Sequence, residues 1–263
     1  MRFARILHAE LRKALTLPAT LVAAGISVAA SVALAAYNAG GVRAAIDSGR
    51  LDTVGYTSPV EAALSATPLG TVGAVILGVV AISSEYAVNS TDAGGGRQVA
   101  ATLAAAPGRV AVLGAKAITV VLLVAAMAAV ALPASLATAR HIIGSEAPAE
   151  PVGTIALRAA GVALYWALTA LLALGIATLA RSGTLPLVVL IANSSVVSFS
   201  FLLSNLTPLA YYLPDLAGMR LFAQESWAMV DDALDPVTGG LVMGAWALGL
   251  LVVAGFAFAR RDA

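Results

Sequence analysis

The sequence has no cysteine, only two histidines, and few charges: 11% of its 263 residues are Asp, Glu, Lys or Arg. The missing thiols exclude disulfides, thiolate metal sites and a cysteine nucleophile. The two histidines, His8 and His141, fall on opposite sides of the membrane in the topology read below, so they cannot share a metal ion or a proton. His141, beside Arg140, reads as a solvated loop residue. No G-x-x-x-x-G-K-[ST] phosphate loop occurs, so any ATP the protein uses must be bound by another chain. A net charge of +1 gives no global basic character for nucleic acid. The sparse charge also sets the class. Soluble domains are about a quarter charged, whereas this chain is 60% hydrophobic with a mean hydropathy of +0.93. A soluble fold of that composition would expose large apolar patches and aggregate.

What is present is a series of long apolar runs. A spanning helix needs about 20 mostly apolar residues, and in lipid the backbone must satisfy its own hydrogen bonds. The runs predict six transmembrane helices over 17–37, 62–84, 117–138, 155–180, 184–206 and 237–259. Ser65 and Pro68 interrupt the outer end of the second. The short link of Arg181, Ser182 and Gly183 makes spans four and five an antiparallel hairpin. No internal repeat or low-complexity linker is evident, and the loops leave no room for a soluble domain. Residues 1–263 read as a single transmembrane domain of an all-α integral membrane protein.

Charge asymmetry orients it. With both termini cytoplasmic, the inner segments hold Arg2, Arg5, Arg12, Lys13, Arg97, Arg109, Lys116, Arg181, Arg260 and Arg261, ten of the fifteen cations. They hold only four acids, Glu10, Glu85, Asp92 and Asp262. The other five cations and ten acids fall outside. A cleavable signal peptide is the rival reading of the first run. That run is too long for a signal core, and about sixteen residues including an acid precede it.

The span centres carry no ionisable residue, the usual mark of ion coupling. Arg158 and Arg181 bracket span four closely enough to snorkel. Span five offers serines, but no span offers the His or Lys base that an intramembrane serine nucleophile needs. The chain is therefore read as non-enzymatic, with no catalytic residue, no metal site and no cofactor of its own.

Four segments carry the positive signal. Residues 3–15, FARILHAELRKAL, place Phe3, Ile6, Leu7, Leu11 and Leu15 at helical spacing with Arg5, Arg12 and Lys13 between them. This predicts an interfacial amphipathic helix on the inner leaflet. The inner loop 85–116 leaves span two at Glu85, passes three glycines to Arg97, and offers a short helix over 99–106 ended by Pro107 and Gly108. Arg109 and Lys116 flank the return to lipid. Span five carries a polar stripe of Asn193, Ser194, Ser198, Ser200, Ser204 and Asn205. Such a stripe must face protein or a water-filled path. The outer segment 207–236 sets Tyr211, Tyr212, Phe222 and Trp227 among Pro208, Pro214 and aspartates.

Four strings taken in order resemble the permease subunit of an ABC type-2 exporter, a bacterial family. They are AELRKALTLPAT (9–20), Glu85 at the exit of span two, TLAAAPGRVAVLGAKAI (102–118) and the closing FAFARRDA (256–263). The resemblance covers the whole chain. It implies a cytoplasmic coupling helix between spans two and three, and short outer re-entrant helices before span six. It also implies contact with a separate nucleotide-binding ATPase, present in two copies and holding ATP and Mg. The positions matching that contact are Glu10, Lys13, Glu85, Arg97, Pro107, Arg109 and Lys116. A second permease copy, as a homodimer, would enclose a path lined by the span-five stripe in the bacterial plasma membrane. The cargo implied is hydrophobic or amphipathic: a drug, a peptide or a lipid. The alternatives are a non-transport immunity or scaffold protein of the membrane, and an ion-coupled secondary carrier, disfavoured by the uncharged span centres.

Overall fold

A computed structural model describes residues 2–86, 102, 108–144, 150–195, 198–223 and 234–260. Every regular element among them is helical. The chain opens with α1 (Arg2–Thr16) and turns at Leu17 into α2 (Pro18–Ser48). Pro18 occupies the first helical position, where its missing N–H costs nothing. Next come α3 (Pro59–Leu64), α4 (Thr67–Ser83) and a 3-10 turn (Ser84–Tyr86), which together form one apolar column. α5 (Arg109–Ile143) and α6 (Val152–Ala180) follow. α7 (Thr184–Ser195), α8 (Phe199–Ser204), α9 (Pro214–Met219) and α10 (Pro236–Arg260) complete the order.

Five of these units are long and apolar enough to cross a membrane: α2, the α3–α4 column, α5, α6 and α10. The chain is thus a multi-pass helical protein of membrane type. The α3–α4 column and α6 are the central pair, with 61% and 67% of their apolar windows buried, against 28% to 33% for the others. α2, α5 and α10 surround them and turn Leu21, Val130, Leu241 and Val252 outward, as lipid contact requires.

Glycine lets the central helices approach. A Cβ at Gly78 would run into the Ala170 carbonyl on α6, and one at Gly73 into the Ala23 carbonyl on α2. One at Gly70 would enter the ring of Trp166, which is wholly buried and donates its indole N–H to the Thr67 carbonyl at 3.2 Å. Gly78→Leu is therefore expected to cost about 1–3 kcal/mol by overpacking, read as a lower unfolding midpoint in detergent. Gly25→Ala on α2, where a Cβ meets nothing, should leave the midpoint unchanged or raise it slightly.

The structure corrects three boundaries. α2 does not stop near Tyr37; it runs on to Ser48 and ends with Gly49 at φ 65°, whose N–H and that of Arg50 return to the Ile46 and Ala45 carbonyls. Its extension is useful to the bundle. Asn38 donates to the Ala62 carbonyl at 3.2 Å and to Ser65 at 2.9 Å, where Pro68 breaks the α3–α4 column. Arg43 donates to the last carbonyls of α5 at Ile143, 3.1 Å away. α5 likewise runs from Arg109 to Ile143, so Lys116 lies inside the helix and His141 in its last turn rather than in a loop. The third correction concerns span five. The segment 184–206 is two short helices on either side of residues 196–197, not one. With 12 residues, α7 covers about 18 Å, short of the roughly 30 Å hydrocarbon core.

Candidate functional site

Glu10 and Lys13 sit three residues apart on α1, so both can face one neighbour. That neighbour is the start of α5 together with the end of the α3–α4 column. Lys116 on α5 donates to Glu10 Oε2 at 2.7 Å and to Glu85 Oε1 at 2.7 Å. Lys13 reaches the same Glu85 oxygen at 2.5 Å. Thr102, from the loop between the column and α5, donates its hydroxyl to Glu85 Oε2 at 2.8 Å. Four charged groups from three elements thus form one electroneutral network centred on Glu85. Lys116 and Glu85 are almost fully buried, at 2% and 1% exposure. Buried ions cost several kcal/mol each to desolvate, so they persist only where opposite charge and hydrogen bonds compensate. Beside the network a cavity of about 20 Å³, lined by Glu10, Lys116, Ser84 and Thr119 among others, has room for one water molecule.

The seven predicted contact positions divide accordingly. Glu10, Lys13, Glu85 and Lys116 converge. Arg109 stands apart: it opens α5 and donates to the Phe258 carbonyl near the end of α10 at 3.2 Å. Arg97 and Pro107 lie outside the described residues, as does the helix predicted over 99–106 apart from Thr102. Thr102 is the member the sequence reading left out, although it begins the string TLAAAPGR on which the resemblance rests.

The span-five stripe does not line one helix face. Asn193 near the end of α7 and Ser198 before α8 turn to a common acid, Asp215 at the start of α9. Their donors meet Asp215 Oδ2 at 3.2 and 2.9 Å. Asn193 Oδ1 also accepts the Phe199 N–H at 3.0 Å, and Ser198 Oγ accepts that of Phe201 at 3.1 Å, so the two side chains cap the restart of the helix. Ser200 is buried, while Ser204 and Asn205 bond back to the Phe201 carbonyl within their own helix. The side chain of Ser194 lies outside the described residues.

A second ion cluster occupies the opposite end of the bundle. Arg158 on α6 points inward instead of snorkelling. It meets Glu61 on α3 at 2.9 Å and Glu150 at 3.8 Å, and its Nε donates to the Phe222 carbonyl at 3.3 Å. Ser58 caps α3 through the N–H groups of Val60 and Glu61 and donates to Glu150. Arg158 is therefore buried among these partners, against the expectation that it snorkels, while Asp215 is half-buried. The place of Arg158 near a span end is what makes snorkelling its sequence expectation.

No family model matches the chain, and no curated protein matches it.

Proposed function

We propose that this protein is the membrane-spanning permease subunit of an ATP-driven exporter, moving a hydrophobic or amphipathic substrate with energy supplied by separate ATPase subunits. The observation that carries the reading is the buried network of Glu10, Lys13, Glu85 and Lys116. It ties an amphipathic N-terminal helix, the exit of the second column and the entry of α5 into one unit, and Thr102 attaches the intervening loop to it. A push on that loop or on α1 would be passed to the central helices through contacts too costly to break. On this reading the chain makes six crossings, α7 and α8 together forming a broken fifth. Both termini are cytoplasmic and the network lies at the cytoplasmic end. Two copies of the chain and two of the ATPase form the transporter in a bacterial plasma membrane, and ATP and Mg belong to the partner.

Thr102→Val tests the coupling role with little disturbance, because the four ion-paired residues keep one another. The variant is expected to assemble with its ATPase yet lose about tenfold in permease-dependent hydrolysis, the effect of one charge-assisted hydrogen bond. Hydrolysis at the wild-type rate in reconstituted membranes would remove the loop from the coupling route.

A further inference from the structure

A threonine inside a helix has a ready acceptor for its hydroxyl, the carbonyl one turn back. Thr71, Thr169 and Thr178, all buried, use it. They donate to the carbonyls of Thr67, Tyr165 and Leu174 at 2.9, 2.8 and 2.7 Å. Thr119 on α5 does not. It is 3% exposed, and among the described residues its Oγ1 has no hydrogen-bond partner. A hydroxyl buried without a partner is costly, so a partner is to be sought where it lies.

Thr119 follows Lys116 by one turn of α5, and both wall the cavity of about 20 Å³ beside the ion network. Glu10 and Lys13 of α1 and Ser84 below the α3–α4 column line it too. The network leaves two further groups unused there. The Lys116 ammonium has three N–H donors. Two go to Glu10 Oε2 and Glu85 Oε1. At 2% exposure, the third is shut off from bulk solvent. Glu10 accepts through Oε2, and among the described residues nothing donates to its Oε1. One donor, one acceptor and one hydroxyl, from three residues on the wall of one cavity, are therefore left over.

We infer that this cavity is a binding site for one resident water molecule, the fifth member of the network. The water accepts the third N–H of Lys116, donates to Glu10 Oε1, and shares a hydrogen bond with the Thr119 hydroxyl. Three bonds are usual for a buried water, and the cavity exceeds the roughly 10–15 Å³ that one needs. An ion does not suit the site. Two lysines and two glutamates already balance, so an added charge of either sign would be buried without compensation. Thr119 is the positioning residue of the water. Through the water, α1 is joined to α5 by a second route beside the direct bond of Glu10 to Lys116. The inference goes beyond the permease reading and does not depend on it.

Thr119→Val tests it through the sign of a stability change, because valine keeps the shape and removes the hydroxyl. Where that hydroxyl bonds a water, its loss destabilises. Where it is stranded, its loss stabilises. Unfolding of the purified full-length protein in mild detergent is the readout. The variant is expected to show an unfolding equilibrium constant about fivefold larger than wild type, the effect of one neutral hydrogen bond. An unchanged or smaller constant overturns the inference. A wild-type structure at a resolution that shows ordered water decides the matter even if the variant folds poorly. The expected result is a single water peak within hydrogen-bond distance of Lys116 Nζ, Glu10 Oε1 and Thr119 Oγ1. A cavity without density, or one holding an ion, contradicts the inference. No ATPase enters either measurement, so failure here leaves the exporter reading standing, and failure of that reading leaves the water site standing.

Discussion

Lys116→Met is expected to lower the stability of the bundle by about 3–5 kcal/mol, the range for removing one partner from a buried ion pair. Lys116 holds two carboxylates at once, each at 2.7 Å. Glu85 would retain Lys13 and the Thr102 hydroxyl. Glu10, 8% exposed, would keep no hydrogen-bond donor among the described residues. The cost should therefore fall mainly on Glu10, which gives a sharper check than a single variant. Glu10→Gln combined with Lys116→Met should recover a sizeable part of the loss, because a neutral amide is cheaper to bury than a lone carboxylate. The measurement is the unfolding midpoint of the purified protein in mild detergent. A Lys116→Met shift worth less than about 1 kcal/mol would mean that the network behaves as a solvated surface group.

Arg158→Met should have a comparable effect at the other end, again about 3–5 kcal/mol. The guanidinium joins α3 through Glu61, the entry to α6 through Glu150 and the segment after α9 through the Phe222 carbonyl. One side chain thus ties the central pair of helices to the elements that pack over their end. Glu61→Gln in the same chain should return part of the stability, and the non-additivity of the two changes measures the pair directly. Strict additivity within about 0.5 kcal/mol would show that Arg158 and Glu61 do not depend on each other.

The sequence was most readable where a charge interrupts an apolar run. Glu10, Lys13, Glu85 and Lys116 each lie at the edge of a long hydrophobic stretch, and a lone charge there has to be solvated or paired. That is why four of the seven predicted contact residues converge. Hydropathy is a weaker guide to where a helix stops. α2 passes Asn38, Arg43 and Asp47 without breaking, because Ala39, Val42 and Ala45 keep a buried face at helical spacing while Asn38 and Arg43 bond carbonyls of neighbouring helices and Asp47 pairs with Arg43. A window average records the drop in hydropathy and misses the continuity. Span five failed differently. A stripe of Asn and Ser at helical spacing is what an intact polar-faced helix would show. The same residues also favour caps, and Ser198 ahead of Phe199 and Phe201 was a legible N-cap signal. Asp215 could not be found by spacing, since 22 residues separate it from Asn193 and only the fold brings them together. Thr102 lay inside a quoted string but carried no charge to draw notice.

The central claim is that an ATPase on another chain drives this bundle. Its most direct test is to tag the protein in its native membrane, extract it in mild detergent, and identify and count every chain that comes with it. The account predicts a nucleotide-binding ATPase with a G-x-x-x-x-G-K-[ST] loop at one copy per copy of this chain. Recovery of the chain without any such ATPase, under every mild condition that preserves the bundle, would contradict it.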